Sequence, residues 1–154
     1  MIFFNIKKEE SEMSIETFFE IYDVPGDGDC LFSSIADQIM QETGEQYNLS
    51  AAADRLRHEV VSNLRIMNNP EEISILTVAV GGDLSKYIND MAKKYTFGDY
   101  ICIAVLAKIL KRTIFVWNKN GEIIHSENFE ESDKIYNILY ISDEVHYKSA
   151  RSLF

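Results

Sequence analysis

The chain has 154 residues, of which 46% are hydrophobic and 26% charged, a size and composition that suit one folded domain with a substantial core. Its formal net charge of −10 argues against binding to the phosphate backbone of a nucleic acid. No apolar stretch approaches the roughly 20 residues needed to cross a bilayer, so we expect no membrane partner. The two cysteines cannot form a disulfide framework, which favours a reducing compartment.

The N-terminal part of the chain leads into a first helix. Residues 1–20 are predicted as a peripheral acidic segment, and residues 21–154 as a single domain. A short strand over Phe19 to Val24 is stopped by Pro25. A helix then starts near Cys30 and ends at Gly44, because its apolar residues repeat with helical spacing at Leu31, Phe32, Ile35, Ala36 and Ile39.

The middle of the chain is predicted to be helical. Ser50 is a candidate N-cap for a helix over residues 51–67. Asn69-Pro70 starts the next helix, which Gly81-Gly82 ends, and Asp83 can cap another. Thr96, with Asp99 three residues later, resembles a capping box that opens a helix ending near Lys111.

After Arg112 the pattern changes to strands. Two of them, Thr113–Trp117 and Glu122–Ser126, flank Asn120-Gly121, a strong hairpin signal. Tyr136–Ile141 and Val145–Ser149 are predicted as a third and a fourth strand. Because helices come first and strands later, we expect an α+β fold with an antiparallel or mixed sheet packed between helices.

Cys30 is the residue most suggestive of chemistry. It follows Gly26-Asp27-Gly28-Asp29 and lies at the predicted start of a helix, where unpaired N–H groups and the helix dipole favour a thiolate. The two glycines allow a turn whose N–H groups could converge on a developing oxyanion. A buried cysteine that begins a helix without any chemistry is the simpler alternative.

Three blocks of the sequence resemble the ovarian tumour (OTU) family of cysteine proteases, which remove ubiquitin from proteins. Gly26 to Phe32 resembles the family's nucleophile motif, Asp-Gly-x-Cys followed by apolar residues. Gly98-Asp99-Tyr100-Ile101, with the helix and the strand Thr113–Trp117 that follow, resembles its Gly-Asp helix and next strand. Val145-His146-Tyr147-Lys148-Ser149 resembles its histidine motif, and all the blocks stand in the family's order.

This resemblance implies a papain-like fold and assigns the site. Cys30 would be the nucleophile, His146 the general base and acid, and Asp27 an active-site residue that orders the loop. Gly26, Gly28 and Asp29 would form the oxyanion loop, with Asp29 at the family's variable position, facing solvent. Neither a metal nor a cofactor is expected, since the three histidines and two cysteines do not pair at zinc-ligand spacing.

The other histidines and the second cysteine are predicted to be structural. His58 lies between charged residues on a helix and is interpreted as a surface or boundary residue. His125 is interpreted as a half-buried strand residue, and Cys102, between Ile101 and Ile103, as part of the core.

Lys148 departs from the family pattern. Many members carry Asn or Asp two residues after the histidine, where it orients the imidazole. Residues two apart on a strand share a face, so the Lys148 ammonium should lie near His146, yet it cannot accept the imidazole N–H. Either another group orients the ring, with Asp23, Asp27, Asp143 or a backbone carbonyl as candidates, or activity is weakened.

The resemblance therefore predicts a monomeric deubiquitinase that acts on ubiquitin or polyubiquitin in the cytosol or another reducing compartment. An acidic surface suits a basic partner such as the arginine-bearing tail of ubiquitin. Two alternatives stay open: a weakly active or inactive module that binds ubiquitin, and a protease for a ubiquitin-like modifier.

Overall fold

The computed structural model describes residues 14–154. Within these residues, a one-turn 3₁₀ helix, Ile15–Thr17, precedes five strands and five α-helices. Their bounds are β1 (Phe19–Tyr22), α1 (Cys30–Thr43), α2 (Leu49–Ile66), α3 (Pro70–Ala79), α4 (Leu84–Met91), α5 (Tyr100–Leu110), β2 (Thr113–Trp117), β3 (Ile123–Glu127), β4 (Ile135–Ile141) and β5 (His146–Ser152).

The strands form one mixed sheet in the order β1-β5-β4-β2-β3. The only parallel pair in this sheet is β2 with β4, and the other neighbours are antiparallel. β1 thus pairs with β5, and Tyr22 lies opposite Ser149. The predicted α+β class with a mixed sheet is confirmed.

Helix α1 is the centre of the main core. Its residues Leu31, Phe32 and Ile35 are fully buried, and they pack in one cluster with the inner face of the sheet and with α2, α4 and α5. A smaller cluster covers the opposite face of the sheet. Its buried members are Ile15, Phe19, Leu139, Ile141 and Ala150.

The predicted capping residues of two helices are wrong. Asn48, not Ser50, caps α2 by accepting the Ala51 N–H. Asp99, not Thr96, caps α5 by accepting the N–H groups of Ile101 and Cys102, since Thr96 instead bonds the Asp90 carbonyl.

The remaining element boundaries follow the sequence closely. Gly44 ends α1 in the left-handed conformation, while Asn69 and Asp83 cap α3 and α4 as predicted. The strand β2 has the predicted bounds, and the other strands differ by one to three residues at an end.

The structure describes only the last part of the predicted peripheral segment, residues 14–20. Residues 1–13 of the predicted peripheral segment lie outside the described residues. From Ser14 onward, Ile15 and Phe19 are buried and β1 already pairs with β5. In the described part of the chain, no helix is long and apolar enough to span a membrane.

Gln38 ties α1 to the two strands beneath it. Its amide N–H groups donate to Ser149 Oγ and the Ala150 carbonyl, both at 2.9 Å, and its Oε1 accepts the Asn137 N–H at 2.9 Å. All three contacts are buried or half-buried, so the amide sets how the helix lies on β4 and β5.

We therefore expect Gln38→Leu to lower the free energy of unfolding by about 1–3 kcal/mol, because the Asn137 N–H would lose its buried partner. Urea denaturation measures the change. The matched variant Gln41→Leu alters an exposed glutamine of the same helix and should change stability by less than about 0.5 kcal/mol. Equal effects of the two variants would contradict this role.

Candidate active site

Cys30 is the first residue of α1 and is 1% exposed. Its Sγ accepts the backbone N–H of Tyr147 at 3.5 Å. Tyr147 follows His146 on β5, so the packing of α1 against the sheet brings the cysteine to the start of the strand that carries the histidine. The two motifs, far apart in sequence, lie in one site.

The thiol is not activated in the way that its position at a helix start predicts. Burial raises the pKa of Cys30 above its usual value, and the nearby Asp27 charge adds to the rise. Backbone N–H groups of Tyr147 and Leu31 act in the opposite direction without cancelling it. The thiol therefore needs a base to take its proton.

His146 is buried and is held by an acid from β1's end. Its Nε2 lies 3.0 Å from Asp23 Oδ1. Because a carboxylate only accepts, Nε2 carries the proton and Nδ1 is the ring nitrogen able to accept one. The hydrogen bond from His146, together with the Lys148 charge, lowers the pKa of Asp23.

Asp23 was one of four candidates for this role, and the sheet register explains why it is the partner. Tyr22 lies opposite Ser149, so the next residue, Asp23, comes alongside Lys148 and within reach of His146. The other two acids lie elsewhere. Asp143 is exposed and pairs with Lys119 at 3.7 Å, and the Asp27 carboxylate serves the loop.

Lys148 shares the Asp23 carboxylate with the imidazole. Its Nζ lies 3.9 Å from Asp23 Oδ2, while His146 contacts the other oxygen. The ammonium therefore lies near the histidine, as the strand spacing predicts, and it is directed at the acid that holds the ring.

Asp27 is exposed and shapes the loop before Cys30. Its Oδ1 accepts the Asp29 N–H at 2.9 Å, and its carbonyl accepts the Cys30 N–H at 3.2 Å. The Gly28 N–H has no acceptor within residues 14–154, so it is free to donate to an added oxyanion.

The two loop glycines do not adopt the backbone conformations, closed to other residues, that the sequence predicts for them. Neither Gly26 nor Gly28 has a positive φ. A Cβ at Gly28 would lie 1.5 Å from the Tyr95 carbonyl oxygen, so close backbone approach requires glycine there. A Cβ at Gly26 would meet nothing within 4 Å.

Asp29 does not face solvent, which corrects the prediction from the family pattern. It is 4% exposed and contacts Arg57 Nη2 at 2.6 Å and Lys94 Nζ at 2.8 Å. It also accepts the Tyr95 N–H at 3.2 Å. Burial alone would raise the pKa of Asp29, but these donors hold it below its usual value.

Sequence reasoning missed Arg57, although α2 carries a signal for it. Its buried residues recur at helical spacing, and Arg57 stands within that stripe between Leu56 and Val60. A charged residue on the buried face of a helix requires a buried partner, which here is Asp29.

The hydrogen bonds found for His58, His125 and Cys102 go to residues other than Cys30 and His146. His58 is exposed. His125 is half-buried, stacks on Tyr100 and lies 3.0 Å from Glu127. Cys102 is fully buried beside Tyr87. Residues 14–154 contain no group of three or more His, Cys, Asp or Glu side chains that could hold a metal ion.

The family model described as OTU-like cysteine protease matches residues 25–154, nearly the whole described chain. A curated relative, protein 232R of Invertebrate iridescent virus 3, is 31% identical over 85% of this chain and 16% of its own length. The ubiquitin thioesterase otu2 of Schizosaccharomyces pombe is 26% identical over 77% of this chain and 39% of its own. The chain thus spans well under half of either relative.

A solved structure shares the fold. The Hazara virus OTU bound to ubiquitin superposes with a TM-score of 0.63 at 18% identity, covering 92% of this chain and 86% of that one.

The buried pair of Asp29 and Arg57 predicts a distinct acid sensitivity. Because folding depresses the pKa of Asp29 below 3.8, its contribution to stability is complete above that value and is lost as pH falls through the folded pKa. We expect the free energy of unfolding of Asp29→Asn to fall less steeply below about pH 4 than that of the wild type.

Urea denaturation at several pH values between about 2 and 7 measures this slope. Asp133→Asn, which alters an exposed aspartate, is the matched control and should keep the wild-type slope. A wild-type slope in Asp29→Asn would show that the pair does not perturb Asp29.

Proposed function

Because the chain belongs to the OTU-like cysteine protease family, we propose that it is a deubiquitinase. It would hydrolyse the isopeptide bond after the C-terminal glycine of ubiquitin. The observation that carries the proposal is the joint placement of Cys30 and of a histidine already held by an acid: Cys30 Sγ accepts the N–H of the residue after His146, whose Nε2 contacts Asp23.

The geometry suits a thioester mechanism. Nδ1 of His146 takes the Cys30 proton, and the thiolate attacks the carbonyl carbon of the ubiquitin glycine. The Gly28 N–H stabilises the oxyanion. The imidazolium then gives its proton to the leaving lysine amine, and a thioester between Cys30 and ubiquitin remains. His146 next deprotonates a water molecule, which cleaves the thioester and restores the thiol.

Each supporting residue has a role that follows from its contacts. Asp23 keeps the Nε2–H tautomer and stabilises the imidazolium that forms during the reaction. Asp27 fixes the turn through its carboxylate and carbonyl, and Gly26, Gly28 and Asp29 complete the loop.

Ubiquitin as the partner is supported by two similarities and by charge. The S. pombe relative is a ubiquitin thioesterase, and the Hazara virus OTU has ubiquitin bound. The net charge of −10 favours a basic substrate tail over an acidic partner. A free catalytic thiol works best in a reducing compartment such as the cytosol.

The inactive-module alternative loses its main support. It rested on Lys148 in place of an orienting residue, and Asp23 supplies the missing acceptor. A ubiquitin-like modifier as substrate is distinguished by comparing matched fluorogenic substrates of ubiquitin and of the modifier.

Cys30→Ala should abolish cleavage of diubiquitin and covalent capture by a ubiquitin probe with a C-terminal electrophile, because the nucleophile is removed. The matched variant Cys102→Ala removes the other thiol, which lies in the core, and should keep activity within a few-fold. Gel analysis of both reactions measures this. Turnover by purified Cys30→Ala would refute the assignment.

Asp23→Ala should lower kcat by at least about 10-fold, because the imidazole would lose the acceptor that sets its tautomer. Asp143→Ala, at an exposed acid outside the site, should leave kcat within twofold of the wild-type value. Lys148→Asn should not raise kcat, since Asp23 already occupies the imidazole N–H. Steady-state kinetics on a fluorogenic ubiquitin substrate measure all three. A higher kcat in Lys148→Asn would contradict the role given to Asp23.

A further inference from the structure

Arg57 is buried and donates hydrogen bonds both to the loop before Cys30 and to the segment from Met91 to Thr96. The side chain is 4% exposed, and its Nη2 donates to the Gly28 carbonyl at 3.1 Å, to Asp29 Oδ1 at 2.6 Å and to the Thr96 carbonyl at 2.7 Å. Its Nη1 donates to the Met91 carbonyl at 3.0 Å. One guanidinium thus joins the nucleophile loop to the segment after α4.

The arrangement is costly for folding. Burying a guanidinium and a carboxylate together costs hydration free energy, which their attraction only partly offsets. Apolar residues of similar volume at such positions often give a protein of equal or greater stability. Within the described residues, Arg57 Nε is also buried without a hydrogen-bond partner. Stability alone therefore gives no reason for an arginine at this position.

The contacts fix one peptide plane from both sides. The Gly28 carbonyl is held by Arg57, and the N–H of the same peptide, that of Asp29, is held by Asp27 Oδ1. Gly28 also lies directly against the Tyr95 carbonyl, leaving no room for the loop to shift in that direction. The Gly28–Asp29 peptide, one residue before Cys30, is thereby held by Arg57, by Asp27 and by the contact with Tyr95.

A second cation completes the attachment. Lys94 Nζ contacts Asp29 Oδ2 at 2.8 Å, and the Tyr95 N–H contacts Oδ1. Asp29 stands at the N-cap position of α1 but makes no side-chain cap bond to the helix. Its carboxylate is used to anchor the loop, which leaves the N–H groups at the start of the helix uncapped by it.

We propose that Arg57 is a positioning residue for the reaction, which holds the Gly28–Asp29 peptide so that the loop N–H groups stay aimed at the oxyanion beside Cys30. This inference rests on the proposed function. Arg57 acts through the loop and through Asp29. The planar guanidinium directs two nitrogens at different acceptors, whereas a lysine keeps the charge but offers a single nitrogen.

Arg57→Lys tests the proposal against Arg65→Lys, the same substitution at an exposed arginine of α2. With a fluorogenic ubiquitin substrate, Arg57→Lys should lower kcat at least 10-fold and leave KM within threefold, since oxyanion stabilisation is lost and ubiquitin binding is not. Hydrogen exchange of the Asp29 and Cys30 amides, which Asp27 holds in the wild type, should be faster, and alkylation of Cys30 by iodoacetamide should keep its pH midpoint. Arg65→Lys should match the wild type in every measurement.

Asp29→Asn is the second variant should Arg57→Lys fail to fold. It retains an acceptor for the Tyr95 N–H, and it should show the same separation of kcat from KM. Wild-type kcat in a folded variant, or unchanged exchange of the two amides, would overturn the proposal. A wild-type protein that cleaves no ubiquitin substrate would refute the proposed function instead, and the amide exchange would then still decide whether Arg57 holds the loop.

Discussion

The burial of α1 against the sheet is the constraint on which the site depends. The helix begins with Cys30, the proposed nucleophile, and most of its residues are buried, because the strands and the other helices cover it. The strand it crosses, β5, starts with the histidine. Gln38 and the Tyr147 N–H fix the approach through directional bonds, which apolar packing cannot supply. Catalytic geometry is thus a consequence of how one helix is packed.

The pairing of β1 with β5 brings Asp23 to the candidate site. Because β1 lies at the edge beside β5, its last residues run alongside the histidine motif. An acid placed just after β1 reaches His146 as easily as one placed two residues after the histidine would. Lys148 then becomes compatible with the chemistry, since its charge meets Asp23 instead of facing the imidazole alone.

The sequence predicts what local patterns and motifs encode. Helical stripes, Asn-Gly and Gly44 place most elements within a few residues, and the motif order points to Cys30 and His146 as candidate site residues. It does not identify Asp23 as the partner of His146, because that depends on strand register, a non-local property. The sequence does not predict the burial of Asp29 for a similar reason, since its partner Arg57 lies on another helix. The one local indication is that Arg57 is a charged residue within an apolar stripe.

Burial acts on both Cys30 and Asp29, but the net pKa shifts of the two groups are opposite. Burial opposes the charge of the Cys30 thiolate, so the thiol stays protonated until His146 takes its proton. Burial also opposes the charge of Asp29, but there two cations and a backbone N–H outweigh it. A thiol with a raised pKa thus lies beside a carboxylate with a lowered one. In the proposed mechanism the loop would need no rearrangement when negative charge appears on the substrate, because its dipoles are arranged during folding.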